Sequence, residues 1–243
     1  MRQHIVGLSQ YLFTLFLYSL GTVVLGLAVL PGVTLCYYLW NWHQSLQLRL
    51  FVLSLGIAAA FFLYGITLML LAGILRIIFR LDLQEGEYRI PSLGLFKWLF
   101  ANSLYLVVAA TFMDFILLTP FANIFYRLMG AKVGRNAQIN SKFCGDMSLL
   151  EIGDEAVIGG HATVICHSFE RHRLILKRVK IGKKAIVGLN SVVLPGCEIG
   201  DGALIAAGAV LSKDTHVGAN EVYCGVPAES AKKRHKRNPD GQR

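Results

Sequence analysis

The sequence predicts a membrane protein of two parts, in which apolar α-helices are followed by a prism of short β-strands. Two observations predict it. Two long stretches near the N-terminus carry no charged residue, and further along the chain an aliphatic residue returns at every sixth position. A spacing of six drifts around an α-helix, whereas three six-residue strands can close one triangular coil. The seven aliphatic positions in frame are Ile181, Val187, Val193, Ile199, Ile205, Leu211 and Val217.

The two uncharged stretches are Leu12–Leu39 and Leu50–Leu75. At about 1.5 Å per residue, each exceeds the roughly 20 residues that cross a bilayer. The chain of 243 residues is 54% hydrophobic and 16% charged, too apolar for an ordinary soluble domain. A signal peptide is the alternative for the first stretch, but its apolar run is longer than the roughly 7 to 15 residues expected of one. We therefore expect a transmembrane helical hairpin within residues 1–95, with the first helix kinked or ended at Pro31.

The charges that flank the hairpin predict its orientation. Basic residues precede the first helix and follow the second, with one between them: Arg2, Arg49, Arg76, Arg80, Arg89 and Lys97. Lys and Arg concentrate in the cytoplasmic loops of membrane proteins. We therefore expect a multi-pass protein of a bacterial-type inner (plasma) membrane, with both ends of the hairpin and the prism in the cytoplasm.

The apolar segment 96–130 is interrupted by polar residues, namely Asn102, Asp114, Pro120 and Asn123. A carboxylate at the centre of a bilayer is costly. We expect this segment to form interfacial or re-entrant helices that seat the prism on the membrane. The alternative is a third crossing, which would place the prism outside the cell.

The aliphatic frame extends backwards, so we expect the prism over residues 131–230. Two interruptions break this frame. Between Ile139 and Ile152 the spacing is one residue longer than two hexads, which predicts a bulge. The seventeen positions from Val164 to Ile181 include a polar, charged insert, which predicts a loop outside the prism wall. Loops on rigid scaffolds often carry function.

Three features of the sequence resemble a known family. They are the hexads, the histidine that opens the excluded loop in Cys166-His167-Ser168-Phe169-Glu170, and the ending Cys224-Gly225-Val226-Pro227-Ala228. On these features, residues from about Val133 to Ala231 resemble the hexapeptide-repeat acyltransferases of the left-handed parallel β-helix superfamily. The segment from Ile139 to Asp146 is similar to the sugar O-acetyltransferase branch, although fewer coils separate it from the histidine. A closer overall likeness is to the membrane-anchored acyltransferase-like domain at the C-terminus of some peptide synthetases.

The resemblance implies acyl transfer from a thioester, with acetyl-CoA or another acyl-CoA as donor. Attack on a thioester needs a base of near-neutral pKa and a hydrogen-bond donor for the oxyanion. At the family position the base is His167, and Asp146, Glu155 and Glu170 are the acids that could orient it or bind the acceptor. The resemblance places the backbone oxyanion donor near Gly188 or Leu189, and implies a homotrimer with each site between two copies. It also implies donor contacts at Ala206, Ala207, Gly208, Ser212, Lys213 and Lys232.

The net charge of +9 comes from two basic clusters. One lies in the excluded loop and after it, at Arg171, Arg173, Lys177, Arg178, Lys180, Lys183 and Lys184, and the other in the tail, residues 231–243. Nucleic acid is one interpretation of such charge. Beside transmembrane helices, attraction to anionic membrane lipids explains it better, so we expect no nucleic-acid partner. Anionic substrate or CoA phosphates, or a merely solvated face, are the alternatives.

Five cysteines without a C-x-x-C motif suggest reduced thiols in a cytoplasmic domain. Cys166 precedes His167, but strand alternation should point the two side chains to opposite sides, so we expect no Cys-His nucleophilic pair.

Two other functions use the same fold. Some left-handed β-helix proteins hydrate CO2 with zinc that is held by three histidines. His161, His167 and His172 suggest a comparison with these enzymes, but their spacing differs, so we expect no metal. A non-catalytic membrane scaffold is the other alternative, because fold alone does not establish function. The function we predict is a membrane-bound O- or N-acyltransferase. Its acceptor would be a hydroxyl or amine of a lipid-linked or envelope-precursor molecule.

Overall fold

Two long antiparallel helices begin the chain in the computed structural model, which describes residues 2–42 and 45–232, with side chains from residue 11 onward. Helix α1 spans Arg2–Trp40 and α2 spans Leu46–Ile78. They pack closely, since a side chain added at Gly32 would meet the Ala60 side chain at 2.7 Å. The expectation that Pro31 ends the first helix is wrong, because α1 continues through it. Neighbouring helices can satisfy or shield the backbone around such a proline in apolar surroundings.

A third apolar helix, α3 (Leu93–Thr111), lies between this hairpin and the prism. The Ser92 hydroxyl caps its start by accepting from the Leu95 amide. The ring of Phe100 lies 5.1 Å from that of Phe79, and a side chain at Gly65 would meet the Phe112 ring at 2.3 Å. Helix α3 therefore runs antiparallel to the second half of α2. By length and composition α1, α2 and α3 could each cross a membrane.

The chain then returns through two short helices, α4 (Met113–Ile116) and α5 (Pro120–Leu128). A side chain at Gly73 of α2 would meet Leu128 at 3.1 Å, and Gly130 lies against Arg76 and Asp82. The prism therefore starts beside the C-terminal end of α2.

The prism has three faces of parallel two- and three-residue strands, and the predicted parallel β-helix is confirmed. The first face holds β2 (Lys132–Val133), β4 (Leu150–Ile152), β9 (Val179–Ile181), β12 (Glu198–Ile199) and β15 (His216–Val217). The second holds β3 (Gln138–Ile139), β5 (Val157–Ile158), β10 (Ile186–Val187), β13 (Leu204–Ile205) and β16 (Val222–Cys224), with β17 (Glu229–Ser230) antiparallel at its end. The third holds β6 (Thr163–Val164), β11 (Val192–Val193) and β14 (Val210–Leu211).

We call the turns after the first, second and third faces the first, second and third corners. Aliphatic side chains such as Ile158, Val187 and Ile205 fill the interior and are fully buried. Glycine recurs at the corners because successive coils stack closely. A side chain at Gly153 would lie 2.6 Å from the backbone of Gly182 in the next coil.

Helices α3 to α5 close the open end of the first coil. The Leu118 amide donates to the Ile139 carbonyl at 3.0 Å, and the Asn123 side chain donates to the Ala137 carbonyl at 2.8 Å. The hydroxyl groups of Tyr105 and Tyr126 donate to the carbonyls of Lys142 and Ser141, each at 2.7 Å. These bonds satisfy backbone groups that have no earlier coil to pair with.

The excluded segment is a β-hairpin rather than the loop that we expected. Strands β7 (His167–Glu170) and β8 (Arg173–Leu176) pair antiparallel, and β1 (Gly86–Arg89) adds a third strand beside β8. Strand β1 comes from the segment assigned above to the helical hairpin, residues 1–95. The segment after α2 therefore packs with the prism, because its backbone completes this small sheet.

Candidate active site

The two interruptions of the hexad frame lie next to each other at the third corner. In the first, Asp146 takes a left-handed conformation (φ 57°) before a short 3-10 helix, Met147–Leu149. In the second, one coil later, His167 begins the excluded hairpin directly after the buried Cys166. Since coils stack in register, the extra residue of one coil meets the insertion of the next.

His167 and Asp146 form a hydrogen-bonded pair. The distance between His167 Nδ1 and Asp146 Oδ2 is 2.6 Å. The Asp146 side chain is fully buried, and 23% of the His167 side chain is exposed. The Cys166 amide also donates to Asp146 Oδ2, at 3.0 Å. The imidazole is thus anchored on one side and accessible on the other.

The second carboxylate oxygen of Asp146 accepts from α3. Trp98 Nε1 donates to Oδ1 at 2.6 Å, and Asn102 Nδ2 donates to it at 3.2 Å. A buried carboxylate is costly unless its oxygens are hydrogen-bonded. Here both oxygens have N–H donors.

This network assigns the imidazole tautomer. Trp98 Nε1, the Cys166 amide and Asn102 Nδ2 can only donate, so Asp146 serves as an acceptor on both oxygens. His167 Nδ1 therefore carries a proton toward Asp146. In the neutral imidazole, His167 Nε2 then keeps a lone pair, which is what a general base requires.

Aromatic rings hold the imidazole in place. The Trp98 ring lies 4.8 Å from that of His167 and 5.4 Å from that of Phe169. Phe169 is 53% exposed, so it also forms an apolar wall beside His167. A substrate that approaches the imidazole would meet this wall.

The two other candidate acids lie away from His167. Glu170 accepts from Ser168 Oγ at 3.3 Å and pairs with Lys213. The hydrogen bond from Lys213 lowers the pKa of the Glu170 carboxyl. Glu155 is at the first corner and lies 3.7 Å from Lys184 Nζ. Of the three acids considered, Asp146 is the one that contacts the imidazole.

The residues expected to bind the donor are divided between corners. Gly188 and Leu189 follow β10 at the second corner, and Ala206, Ala207 and Gly208 follow β13 at the same corner one coil later. Ser212 and Lys213 follow β14 at the third corner, and the exposed Lys232 follows β17. The Gly188 amide donates to the Ile205 carbonyl at 2.8 Å, so it is not available as an oxyanion donor. One prism therefore does not bring the second-corner residues to His167.

The other two histidines of the metal alternative also lie elsewhere. His161 is at the second corner with its ring 5.7 Å from that of Phe143, and His172 is at the tip of the excluded hairpin. Within the described ranges, no group of three or more His, Cys, Asp or Glu side chains could hold a metal ion.

The cysteines of this region are buried thiols. Burial raises the pKa of Cys144 to about 12 and raises that of Cys166 as well. Cys166 is fully buried, whereas the neighbouring His167 is partly exposed. Both thiols therefore stay protonated near neutral pH, and neither resembles an activated nucleophile.

Most of the basic cluster of the excluded hairpin is paired within the chain. Five of its cations contact carboxylates from β1, from the residue before it or from other coils: Arg173 with Glu87, Lys177 with Asp214, Arg178 with Glu85 and Glu151, Lys180 with Glu198, and Lys184 with Glu155. Stacking of coils brings carboxylates from distant positions, which offset this charge.

Trp98 and Asn102 were not among the predicted site residues. The sequence did mark Asn102 as a polar interruption of an apolar segment. Nothing in its spacing connects it to Asp146, because the two residues come from different domains and meet only through tertiary packing.

A comparison with protein families agrees with the repeat pattern. Residues 178–213 match the family model described as bacterial transferase hexapeptide (six repeats). The chain is 33% identical over 108 residues to a protein of Bacillus subtilis (strain 168) named "Putative acetyltransferase YvoF", covering 42% of this chain and 63% of that one. It is 24% identical over 172 residues to the delta-poly-L-ornithine synthetase of Acinetobacter baumannii (strain AB307-0294), covering 68% of this chain and 12% of that one.

Among solved structures, a maltose O-acetyltransferase from Clostridium difficile 630 is 20% identical, with a TM-score of 0.47, over 61% of this chain and 92% of that one. Of the curated relatives, by contrast, the chain spans less than two thirds of the length of both YvoF and the delta-poly-L-ornithine synthetase. Within the prism, residues 178–213 match the hexapeptide transferase family model, in agreement with the hexad spacing.

Proposed function

We propose that this protein is a membrane-bound acyltransferase that moves an acetyl or other acyl group from acyl-CoA to an acceptor at the membrane. The observation that carries the proposal is the His167–Asp146 pair, 2.6 Å apart, which leaves His167 Nε2 free at the third corner of a hexapeptide-repeat prism. Two relatives support the chemistry by name: YvoF, assigned as an acetyltransferase, and a galactoside O-acetyltransferase of Escherichia coli (strain K12), 31% identical over 104 residues.

The reaction follows from this geometry. His167 Nε2 takes the proton of an acceptor hydroxyl or amine as the acceptor attacks the thioester carbonyl. Asp146 holds the Nδ1 proton and stabilises the imidazolium that forms. Backbone N–H donors stabilise the oxyanion. The C–S bond then breaks, and the CoA thiolate leaves with the proton that the imidazolium returns.

A homotrimer would complete the site. On the second face, the outward side chains of Ile186, Leu204 and Val222 form a continuous apolar ladder, 43%, 37% and 40% exposed. The first face instead carries paired charges such as Lys180 and Glu198. An apolar ladder of this kind fits a second copy of the chain. Parallel association would set the second corner of one copy, with its donor-binding residues, across a groove from another copy's His167.

The helical part supports placement at a membrane. Helices α1 and α2 are long enough to form a spanning hairpin, and large apolar side chains are exposed on α4, α5 and the turn between them. These are Phe115, Leu118, Phe121 and Ile124, with exposed fractions from 45% to 61%. They suit an interfacial position beside the hairpin. With the basic flanks of the hairpin in the cytoplasm, the prism would also lie there, next to cytosolic acyl-CoA.

The acceptor class follows from where His167 lies. Its partner Asp146 is hydrogen-bonded to two side chains of the apolar helix α3. An acceptor held in or at the bilayer could reach this position without leaving the membrane surface. We therefore propose a lipid-linked sugar or another envelope precursor with a free hydroxyl or amine.

The test is transfer of label from acetyl-CoA to lipid. Purified protein is incubated with labelled acetyl-CoA and a total lipid extract, and label is measured in the organic phase. We expect His167→Ala to lower kcat by roughly 10² to 10⁴ with little change in donor affinity, as for loss of a general base. His216→Ala, on the first face, is the matched control. Equal transfer by wild type and His167→Ala would exclude this mechanism, and absence of acyl-CoA binding would favour a scaffold.

A further inference from the structure

We propose that the apolar helix α3 is part of the active site, with Trp98 and Asn102 as positioning residues that hold Asp146 and, through it, His167. This inference rests on the proposed function. It makes the helical part a component of the catalytic centre in addition to a membrane attachment.

The two side chains act on one atom. Trp98 and Asn102 both donate to Asp146 Oδ1, at 2.6 and 3.2 Å, while Oδ2 binds the imidazole. They are four positions apart and so lie on one face of α3. Asn102 Nδ2 also donates to the Trp98 carbonyl at 3.0 Å, which links the two donors. Without them, Oδ1 of a fully buried carboxylate would lose both of its side-chain donors.

A closed circuit of contacts fixes α3 relative to His167. The start of α3 packs on β1, since a side chain at Gly94 would meet the Tyr88 ring at 2.1 Å. Strand β1 pairs with β8, and β8 pairs with β7, which begins at His167. His167 in turn contacts Asp146, and Asp146 accepts from Trp98 of α3, so the contacts form a closed loop. A shift of α3 would therefore move the carboxylate that orients the imidazole.

The other side of α3 faces the hairpin. The Phe100 ring lies 6.0 Å from that of Phe16 in α1 and 5.1 Å from that of Phe79, which directly follows α2. Leu104 and Val108 of α3 are buried as well. The packing of the hairpin thus determines where the donors of Asp146 stand.

The first experiment measures transfer kinetics of Trp98→Phe, Asn102→Leu and the double variant in the full-length protein. Phe keeps an aromatic ring against His167, and Leu keeps the branched outline and the number of heavy atoms of Asn, so each change removes chiefly a donor. The matched controls Tyr105→Phe and Asn123→Leu each remove one helix-to-prism hydrogen bond that does not involve Asp146. We expect the double variant to lose about 10- to 100-fold in kcat with the KM for acetyl-CoA unchanged, as for lost bonds to a charged group. The controls should stay close to wild type.

The second experiment does not depend on activity. Nitrogen-15 NMR of histidine-labelled protein reports which ring nitrogen of His167 carries the proton, with the signal identified by its loss in His167→Gln. We expect the Nδ1–H tautomer in wild type and both controls, and a mixture of tautomers in the double variant. An unchanged His167 signal in the double variant would overturn the positioning role. If the His167 signal changes in the double variant but the wild-type protein transfers no acyl group, the proposed function is refuted and the positioning role stands.

Discussion

Replacing Asp146 by Asn tests the candidate site with the smallest change in shape. The side chain keeps its size, but one of its two acceptor oxygens becomes an NH₂ donor. In the wild type, Oδ1 faces Trp98 Nε1 and Asn102 Nδ2, while Oδ2 faces the Cys166 amide and the imidazole. Either orientation of the new amide therefore sets a donor against donors.

The expected loss follows from which orientation forms. If the NH₂ group faces His167, the imidazole must accept at Nδ1, and its proton moves to Nε2. The general base is then lost, and kcat should fall by about 10² to 10⁴. If the NH₂ group faces Trp98 instead, a buried donor pair is left unsatisfied, which costs about 1 to 3 kcal/mol in the free energy of unfolding. The first orientation also leaves the Cys166 amide facing a donor, so both orientations lower stability, and kcat separates them because it falls by this amount only in the first.

The assay pairs release of CoA thiol with thermal unfolding of each variant. Asp201→Asn is the matched control, because Asp201 Oδ1 accepts from the Lys183 amide at 2.7 Å in a turn remote from His167. We expect this control to retain wild-type kcat. An Asp146→Asn variant with wild-type kcat and unchanged stability would refute the reasoning, since catalysis would then not depend on how the Asp146 hydrogen bonds orient the His167 imidazole.

Three further predictions concern assembly, thiols and topology. Leu204→Glu places a charge in the apolar ladder of the second face, so we expect the detergent-corrected mass to fall from three chains of 26.8 kDa to one. Burial raises the pKa of Cys144 and Cys166, so their thiolates are minor forms at pH 8. Iodoacetamide should therefore label these two cysteines only at higher pH or after unfolding, and their rapid labelling in the folded protein at pH 8 would contradict this. Reporter fusions after Arg89 and after Arg243 should both report cytoplasm, and an external signal from either would reverse the proposed orientation.

Hexad spacing was sufficient to predict the prism. The aliphatic residues that predicted it are the buried ones, as at Val187 and Ile205. Sequence was less informative for the apolar helices, because hydropathy alone does not say what covers an apolar surface. Helix α3 has the hydropathy of a spanning helix, yet 39% of its most apolar window is buried inside the protein, against 11% for α1. That difference depends on packing against the hairpin and the prism.

The candidate site was predicted in part. His167 followed from the excluded segment together with the resemblance to the hexapeptide-repeat acyltransferases, and Asp146 was one of three acids that the sequence left open. The structure separates them because both breaks of the hexad frame fall at the same corner in successive coils, which brings Asp146 to His167 and leaves Glu155 at another corner. The donors from α3 could not be foreseen, since their contacts join segments more than 40 positions apart.

The polar residues of the apolar segment 96–130 share one role. Asn102 donates to Asp146, Asp114 pairs with Lys142 at 2.5 Å, and Asn123 donates to the Ala137 carbonyl. Each of these partners lies in the prism. In lipid, such side chains would be costly. Their positions therefore mark the side of the helical segment that meets the prism, while apolar side chains such as Phe100 meet the hairpin and others such as Phe115 remain exposed. A segment with these two sides connects the apolar helical hairpin to the candidate site directly, and this connection supports the proposal of an acceptor held at the membrane.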